Sequence, residues 1–312
     1  MRIGIFYGGV ASLESKIQGL AGHVQRVVDA EQDGFDSVWI AQIFGPDALT
    51  IVALAGARTQ RIELGTAVIP TFPRHPFALA QQALTAQAAT GGRLALGIGP
   101  SHKLVVEDMW GLSYDQPAKH IREYLSVLRP LVQQGSVAFR GDVFHVSAAL
   151  QVPGARPFPI LIAAMAPVML RIAGELADGT VTAFTGPKAV ETHIVPRINA
   201  AAAAAGRPSP RICVGVGVAV TDDAAAARER AAREFQVYGT LPAYRRMLDI
   251  EGVPGPADVA LVGNEAEVER QVRALAAAGA TDLLAMIFPA DKDEAASLAR
   301  TLALLKSLVG RV

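Results

Sequence analysis

The feature that most constrains this chain is an alternation of short apolar strands with longer helical patterns, repeated eight times. The strand patterns lie at 3–7, 37–41, 62–69, 93–98, 160–164, 180–183, 212–220 and 282–287. The helical patterns lie at 17–33, 47–59, 77–89, 117–133, 167–177, 187–205, 265–278 and 291–309. Strand–helix–strand units of this kind build parallel sheets with right-handed crossovers, and eight of them are the number that closes a barrel. A doubly wound open sheet would also alternate, but with fewer strands and a Gly-x-Gly-x-x-Gly turn after the first. Here Gly8-Gly9 follows the first strand without that spacing. The expectation is an α/β protein, a (β/α)8 TIM barrel occupying residues 1–312 as one domain.

Three stretches exceed ordinary loops and read as insertions at 101–116, 134–158 and 221–261. The second contains two alternating runs around Arg140-Gly141-Asp142, a hairpin signature. The third begins alanine-rich and ends near Pro254 and Pro256, which predicts extra helices over the barrel mouth.

Charge and composition exclude several classes. Lys and Arg total 29, equal to Asp and Glu at 29, so no net basic charge favours nucleic acid or a membrane surface. The apolar runs are too short to span a bilayer, and the first strand begins without a leader-like apolar segment. A soluble, cytoplasmic protein acting on a small molecule is expected. The one cysteine, Cys213, excludes an intrachain disulfide and reads as a small buried hydrophobe. The six histidines form no His-x-x-x-His pair, so no metal site is expected. Gly99-Pro100-Ser101-His102 lacks the second glycine of a serine nucleophile elbow.

Ligands of parallel barrels bind at the carboxyl ends of the strands. That rule nominates Tyr7 and Gly8, Gln42, Ala67 and Val68, and the run Gly99, Pro100, Ser101 and His102. It also nominates Ala164, Met165 and Ala166, and the run Phe184, Thr185 and Gly186. His102 is the best placed proton donor, because imidazole titrates near neutral pH. Tyr7 is a second candidate, expected to point into the mouth beside Gly8. The segments Met165-Ala166 and Thr185-Gly186 each open a helix, where free N–H groups receive phosphate. Arg74 is a candidate for an anionic tail, and His75 reads as a helix start. Glu107 and Asp108, near Trp110, read as a solvated face.

Several motifs together resemble one family. Gly65-Thr66-Ala67-Val68-x-Pro70 followed by Arg74-His75-Pro76 is similar to the third strand and loop of the luciferase-like flavin and deazaflavin oxidoreductases. Leu96-Gly-Ile-Gly-Pro100, Ala173-Gly-Glu-Leu-Ala-Asp-Gly179 and Gly279-Ala-Thr-Asp-Leu-Leu284 resemble later repeats of that family, in order. The likeness is greatest to actinobacterial members that use coenzyme F420. It implies a planar deazaflavin, or alternatively FMN, lying across the barrel mouth. It also implies a cis peptide at Ala67–Val68 and a homodimer. Family members that oxidise sugar phosphates carry an Asp-His pair where this chain has Gln42-Ile43, so sugar-phosphate oxidation is not expected. The resemblance thus implies hydride transfer between F420 and a small organic substrate, with reduction of an activated C=C or C=N bond favoured. An FMN-dependent two-component monooxygenase is the alternative, and a non-catalytic cofactor carrier the third reading.

Overall fold

The computed structural model describes residues 1–17 and 19–312, with Ser12 described by its backbone alone. Eight parallel strands form the barrel: β1 Arg2–Tyr7, β2 Ser37–Ile40, β3 Glu63–Thr66, β4 Leu94–Gly99, β5 Ile160–Ile162, β6 Gly179–Ala183, β7 Arg211–Val220 and β8 Asp282–Ile287. Each pairs with its successor. The ring closes where β8 meets β1, with Arg2 opposite Asp282 and Gly4 opposite Leu284. The outer helices are α1 Gly19–Gln32, α2 Ala48–Gly56, α3 Pro76–Ala89, α4 Pro117–Gln134, α5 Pro167–Leu176, α6 Val195–Ala204, α7 Glu265–Ala277 and α8 Glu294–Leu308. The expected (β/α)8 barrel is therefore the fold.

The differences from the sequence pattern have local causes. The first helical pattern includes Gln18, which lies outside the described residues. Asp47 and Asp293 stand before their helices as caps, accepting the N–H of Thr50 (2.8 Å) and Ala296 (3.0 Å). The third strand pattern is split, because β3 ends at Thr66 and pairing resumes only at Ile69–Pro70, against β4. The pattern at 187–205 is interrupted by a π turn, Val190–Ile194. The insertion at 134–158 does form a hairpin, Ser136–Arg140 against His145–Ala149. The insertion at 221–261 supplies helices Ala224–Glu234 and Pro242–Glu251. It then leads into Leu261–Gly263, a strand too short to show in the sequence, which pairs with the upper half of β7.

Side chains alternate across each barrel strand, so every second residue points inward. The inner set of β8 starts at Asp282 and continues through Leu284 and Met286. That of β7 starts at Arg211 and reaches Cys213. Leu284 and Cys213 pack with Trp39, Ala95, Leu161 and Val181 in one fully interior layer. This plug fills the lower barrel, and the cavity of the barrel mouth lies above it.

The loop after β3 is held rigidly. The Thr71 N–H donates to the Gly99 carbonyl (2.9 Å), and its hydroxyl meets His120 Nε2 (3.0 Å). The His120 ring stacks on Phe72, with centroids 4.0 Å apart and planes 7° from parallel. Tyr124 donates its hydroxyl proton to the Arg74 carbonyl (3.0 Å). Burial, opposed by nearby Glu123, pushes His120 from 6.5 down to about 4. A histidine lowered on folding favours the native state most when neutral. Its contribution is therefore complete above about pH 6.5 and is lost as pH falls toward 4. Replacing His120 by Gln is expected to flatten that part of the stability-versus-pH curve, measured by urea midpoints between pH 7 and 4. An unchanged slope would reject this assignment.

Candidate active site

The carboxyl mouth of the barrel contains a cavity of about 370 Å³. Its floor comes from inward-facing strand ends: Phe6, Ala67, Val68, Ala163, Val181 and Met286. The Ala67–Val68 peptide is cis, as the resemblance implies. Glycine shapes the backing of this floor. A Cβ at Gly97 would overlap the Thr66 carbonyl oxygen. One at Gly99 would sit 2.8 Å from Val68 Cγ2 and 3.0 Å from Ala163 Cβ. Only glycine lets the Thr66–Val68 segment lie this close to β4. Thr66 fixes the contact by donating its hydroxyl to the Gly97 carbonyl (2.8 Å) and accepting the Gly97 N–H (2.9 Å).

One wall follows β4. Ser101 lies in the left-handed region (φ 63°), which turns the chain sharply, and its carbonyl accepts the Tyr114 hydroxyl (3.0 Å). His102 comes next and lines the cavity, partly buried. Its ring nitrogens have no hydrogen-bond partner among the described residues. Burial lowers its pKa below 6.5, so the resting imidazole is neutral at pH 7. A π turn at Val105–Met109 carries the chain to Trp110, and this segment forms the upper part of the wall. Such turns are often found at functional sites.

The opposite wall joins Phe184, which the sequence nominates, to two tyrosines of the insertion that it does not. Phe184, at φ 51° in a conformation rare for bulky residues, packs against Phe235, Tyr238 and Tyr244, with centroids 5.2, 4.5 and 5.6 Å away. Tyr238 and Tyr244 come from the insertion and line the cavity. Burial raises both phenol pKa values, so both remain neutral donors. The Tyr244 ring lies 5.5 Å from that of His102. Gln42 lines the mouth with its amide oxygen held by the Ala48 N–H (2.8 Å).

Not all nominated residues converge here. Tyr7 points outward, donating its hydroxyl to the Arg26 carbonyl (3.1 Å) beneath the Arg26 guanidinium. Burial there pushes its pKa up to about 12. Strand alternation is the reason: Phe6, its neighbour, takes the inward position. Ala164 fails by the same rule. It is fully buried and bonded to Thr180, while Ala163 faces the cavity. Gly8 turns the chain at φ 98° and donates to Glu14 (3.0 Å), and Gly9 lines the cavity instead. Pro100, Thr185 and Gly186 lie outside the lining, as does Arg74, which is ion-paired with Asp47. His75 caps α3 through the Phe77 N–H (3.3 Å). Glu107 pairs with Lys103 and, like Asp108, lies off the cavity.

The two nominated helix starts also differ. At Gly186 the Glu251 carboxylate already takes the N–H groups of Ala189 (2.8 Å) and Lys188 (3.4 Å). A second anion there would meet a like charge. At α5, Ala166 stands before the helix without a side-chain cap. The N–H groups of Val168 and Met169 have no partner among the described residues. His193 Nε2 donates to the adjoining Met165 carbonyl (2.7 Å). Burial chiefly, with the charges of Arg197 and Arg246 adding to it, lowers the His193 pKa against that hydrogen bond. This end is therefore open, with positive charge nearby. Among the described residues there is no cluster of ligands that could hold a metal ion, and no helix is long and apolar enough to cross a membrane.

Comparison with known proteins identifies the family and the fold. The luciferase-like monooxygenase family model matches residues 1–282. A 5,10-methylenetetrahydromethanopterin reductase of Methanolobus tindarius is 31% identical over 67% of this chain and 64% of its own length. An F420-dependent glucose-6-phosphate dehydrogenase of Intrasporangium calvum is 32% identical over 56% of this chain and 58% of its own. The matches thus span somewhat less than two thirds of these relatives. The solved structure of coenzyme F420-dependent tetrahydromethanopterin reductase from Methanopyrus kandleri superimposes with a TM-score of 0.79 at 21% identity, covering 100% of this chain and 98% of that one. With its family model matched along most of its length and its barrel closed in the same way, this chain belongs to the luciferase-like monooxygenase family.

Proposed function

We propose that the protein is a coenzyme F420-dependent oxidoreductase that reduces an activated double bond of a small organic substrate. The observation that carries this reading is the cavity itself: an apolar floor that includes Ala67 and Val68, with one imidazole, His102, in its lining. The sequence likeness to an F420-dependent dehydrogenase supports the choice of cofactor. The residues fit the group. Gly97 and Gly99 let the Thr66–Val68 segment behind the apolar floor lie close to β4, and the open start of α5 at Met165 and Ala166 suits a phosphate.

Bound there, F420 supplies a hydride, two electrons at once. The chain's own tasks are placement and proton supply. The floor and the aromatic wall orient the substrate and exclude water. His102 donates the proton that accompanies the hydride across the double bond, and solvent reprotonates it. Gln42 holds a polar edge at the mouth through its amide, its oxygen already fixed by Ala48.

Titration of the purified protein with F420 and with FMN tests this reading, followed by quenching of Trp110, which lines the cavity. Micromolar F420 binding with much weaker FMN binding is expected. Preference for FMN, with oxygen consumption after reduction, would replace the reading by the monooxygenase alternative. Binding of neither would favour the carrier.

A further inference from the structure

We infer that the substrate is an uncharged molecule with an apolar body and one carbonyl-type oxygen, the oxygen held by the phenols of Tyr238 and Tyr244 and the body lying along a rim of Phe44, Leu104 and Val237. This rests on the oxidoreductase reading of the same cavity and adds the class of molecule that is reduced.

Three observations support it. No Lys, Arg, Asp or Glu is among the described residues that line the cavity. An anionic or cationic substrate would leave water without a counter-charge, which is strongly unfavourable in an apolar enclosure. A sugar phosphate is therefore a poor fit, despite the likeness to a sugar-phosphate dehydrogenase.

The rim is the second observation. Isolated exposed apolar side chains are ordinary, but a cluster of them marks a binding surface. Phe44, Leu104, Met109, Val237 and Ile43 are 67, 61, 57, 59 and 46% exposed, and all five line this one cavity. They come from three separate segments: the loop after β2, the π turn after β4 and the insertion. They meet at one cavity, whose lining also includes His102.

The third observation is the phenols. Both tyrosines line the cavity, and neither hydroxyl has a hydrogen-bond partner among the described residues. Both side chains are half-buried and their rings lie 5.5 Å apart, so two neighbouring phenols are available to one ligand acceptor. A phenol donates well to a neutral carbonyl oxygen. With His102 beside Tyr244, an oxygen held there lies near the proton donor.

The test is calorimetric titration with 4-alkylcyclohex-2-enones, from methyl to butyl, and with the same ring bearing a carboxymethyl group. It is run on the protein alone and again with saturating oxidised F420. Affinity is expected to tighten by about fourfold per added methylene, the effect of burying about 0.8 kcal/mol of apolar surface. The carboxymethyl compound is expected to bind much more weakly than the ethyl one. The surface substitutions Phe44→Ser and Leu104→Ser should together flatten the chain-length series. Tyr244→Phe should weaken the enones by about two- to tenfold, one neutral hydrogen bond, while leaving the matching 4-alkylcyclohexenes unaffected. Thermal unfolding confirms that each variant is folded.

A flat series, or equal affinity for the carboxylate, overturns the inference. So does a flat series in which Phe44→Ser converts a larger species to a smaller one in sedimentation, because the rim would then be covered by a second copy of the chain. Failure of F420 to bind while the enone series keeps its slope overturns the cofactor reading instead and leaves the substrate class standing.

Discussion

Replacing His102 by Ala is expected to lower kcat for F420-linked reduction by about 10²- to 10⁴-fold, the range that general acid catalysis contributes. Cofactor affinity should change little, because the proposed phosphate site at Met165 and Ala166 lies on another strand end. The pH dependence makes the prediction specific. Burial favours the neutral ring and places the His102 pKa below 6.5. Reduction requires the protonated ring, so kcat/KM should rise as pH falls through 6.5 and level off below that pKa. Oxidation in the reverse direction requires the neutral ring as a base, and should rise with pH and level off above it. His102→Gln retains hydrogen bonding but cannot titrate, so its profile should lose this limb. A variant with wild-type kcat and an unchanged profile would transfer the proton-donor role to the phenols or to solvent.

The barrel was legible because its strands are buried on both faces. Residues such as those of 212–220 form nearly continuous apolar runs, easily separated from the helices by glycine and proline. The same property hides which side of a strand faces inward. An alternating strand shows its faces, and a uniformly apolar one does not. That is why the sequence points to Tyr7 and Ala164 while Phe6 and Ala163 line the cavity. Both offsets are of one residue, which is the shift that moves a strand side chain to the opposite face.

The site was legible only where a turn ends a barrel strand. Ser101, His102, Met165 and Phe184 follow this rule. Tyr238 and Tyr244 do not, because they belong to inserted helices with no register to the barrel, and their approach to Phe184 is a tertiary fact. The sequence also identified Gly186 as a helix start but had no means of showing that Glu251, more than sixty residues later, already caps it.

At the other end of the barrel, Arg211→Met is expected to lower stability by about 3 kcal/mol, the lower end of the range for breaking a buried ion pair. Arg211 donates to Asp282 at 2.6 and 3.3 Å and to Glu63 at 2.9 and 3.2 Å, and lies over the Trp39 ring at 5.6 Å. Asp282 is 1% exposed, so loss of the guanidinium leaves its charge with Arg2 at 3.4 Å, Thr281 at 2.7 Å and no access to solvent. Arg2 is the reason the lower end of the range applies. The cost is that of stranding a carboxylate, not of losing an attraction, and this distinction can be measured. If it holds, Asp282→Asn added to Arg211→Met should restore part of the lost stability, so the double variant costs less than the sum of the singles. Urea unfolding of the four proteins gives the coupling. The network closes the amino end of the barrel, beneath the Trp39 plug and away from the mouth, so the folded single variant should retain its affinity for F420. A loss below about 1 kcal/mol, or strict additivity, would mean that Arg2 alone satisfies Asp282 and that Arg211 serves mainly to cover Trp39.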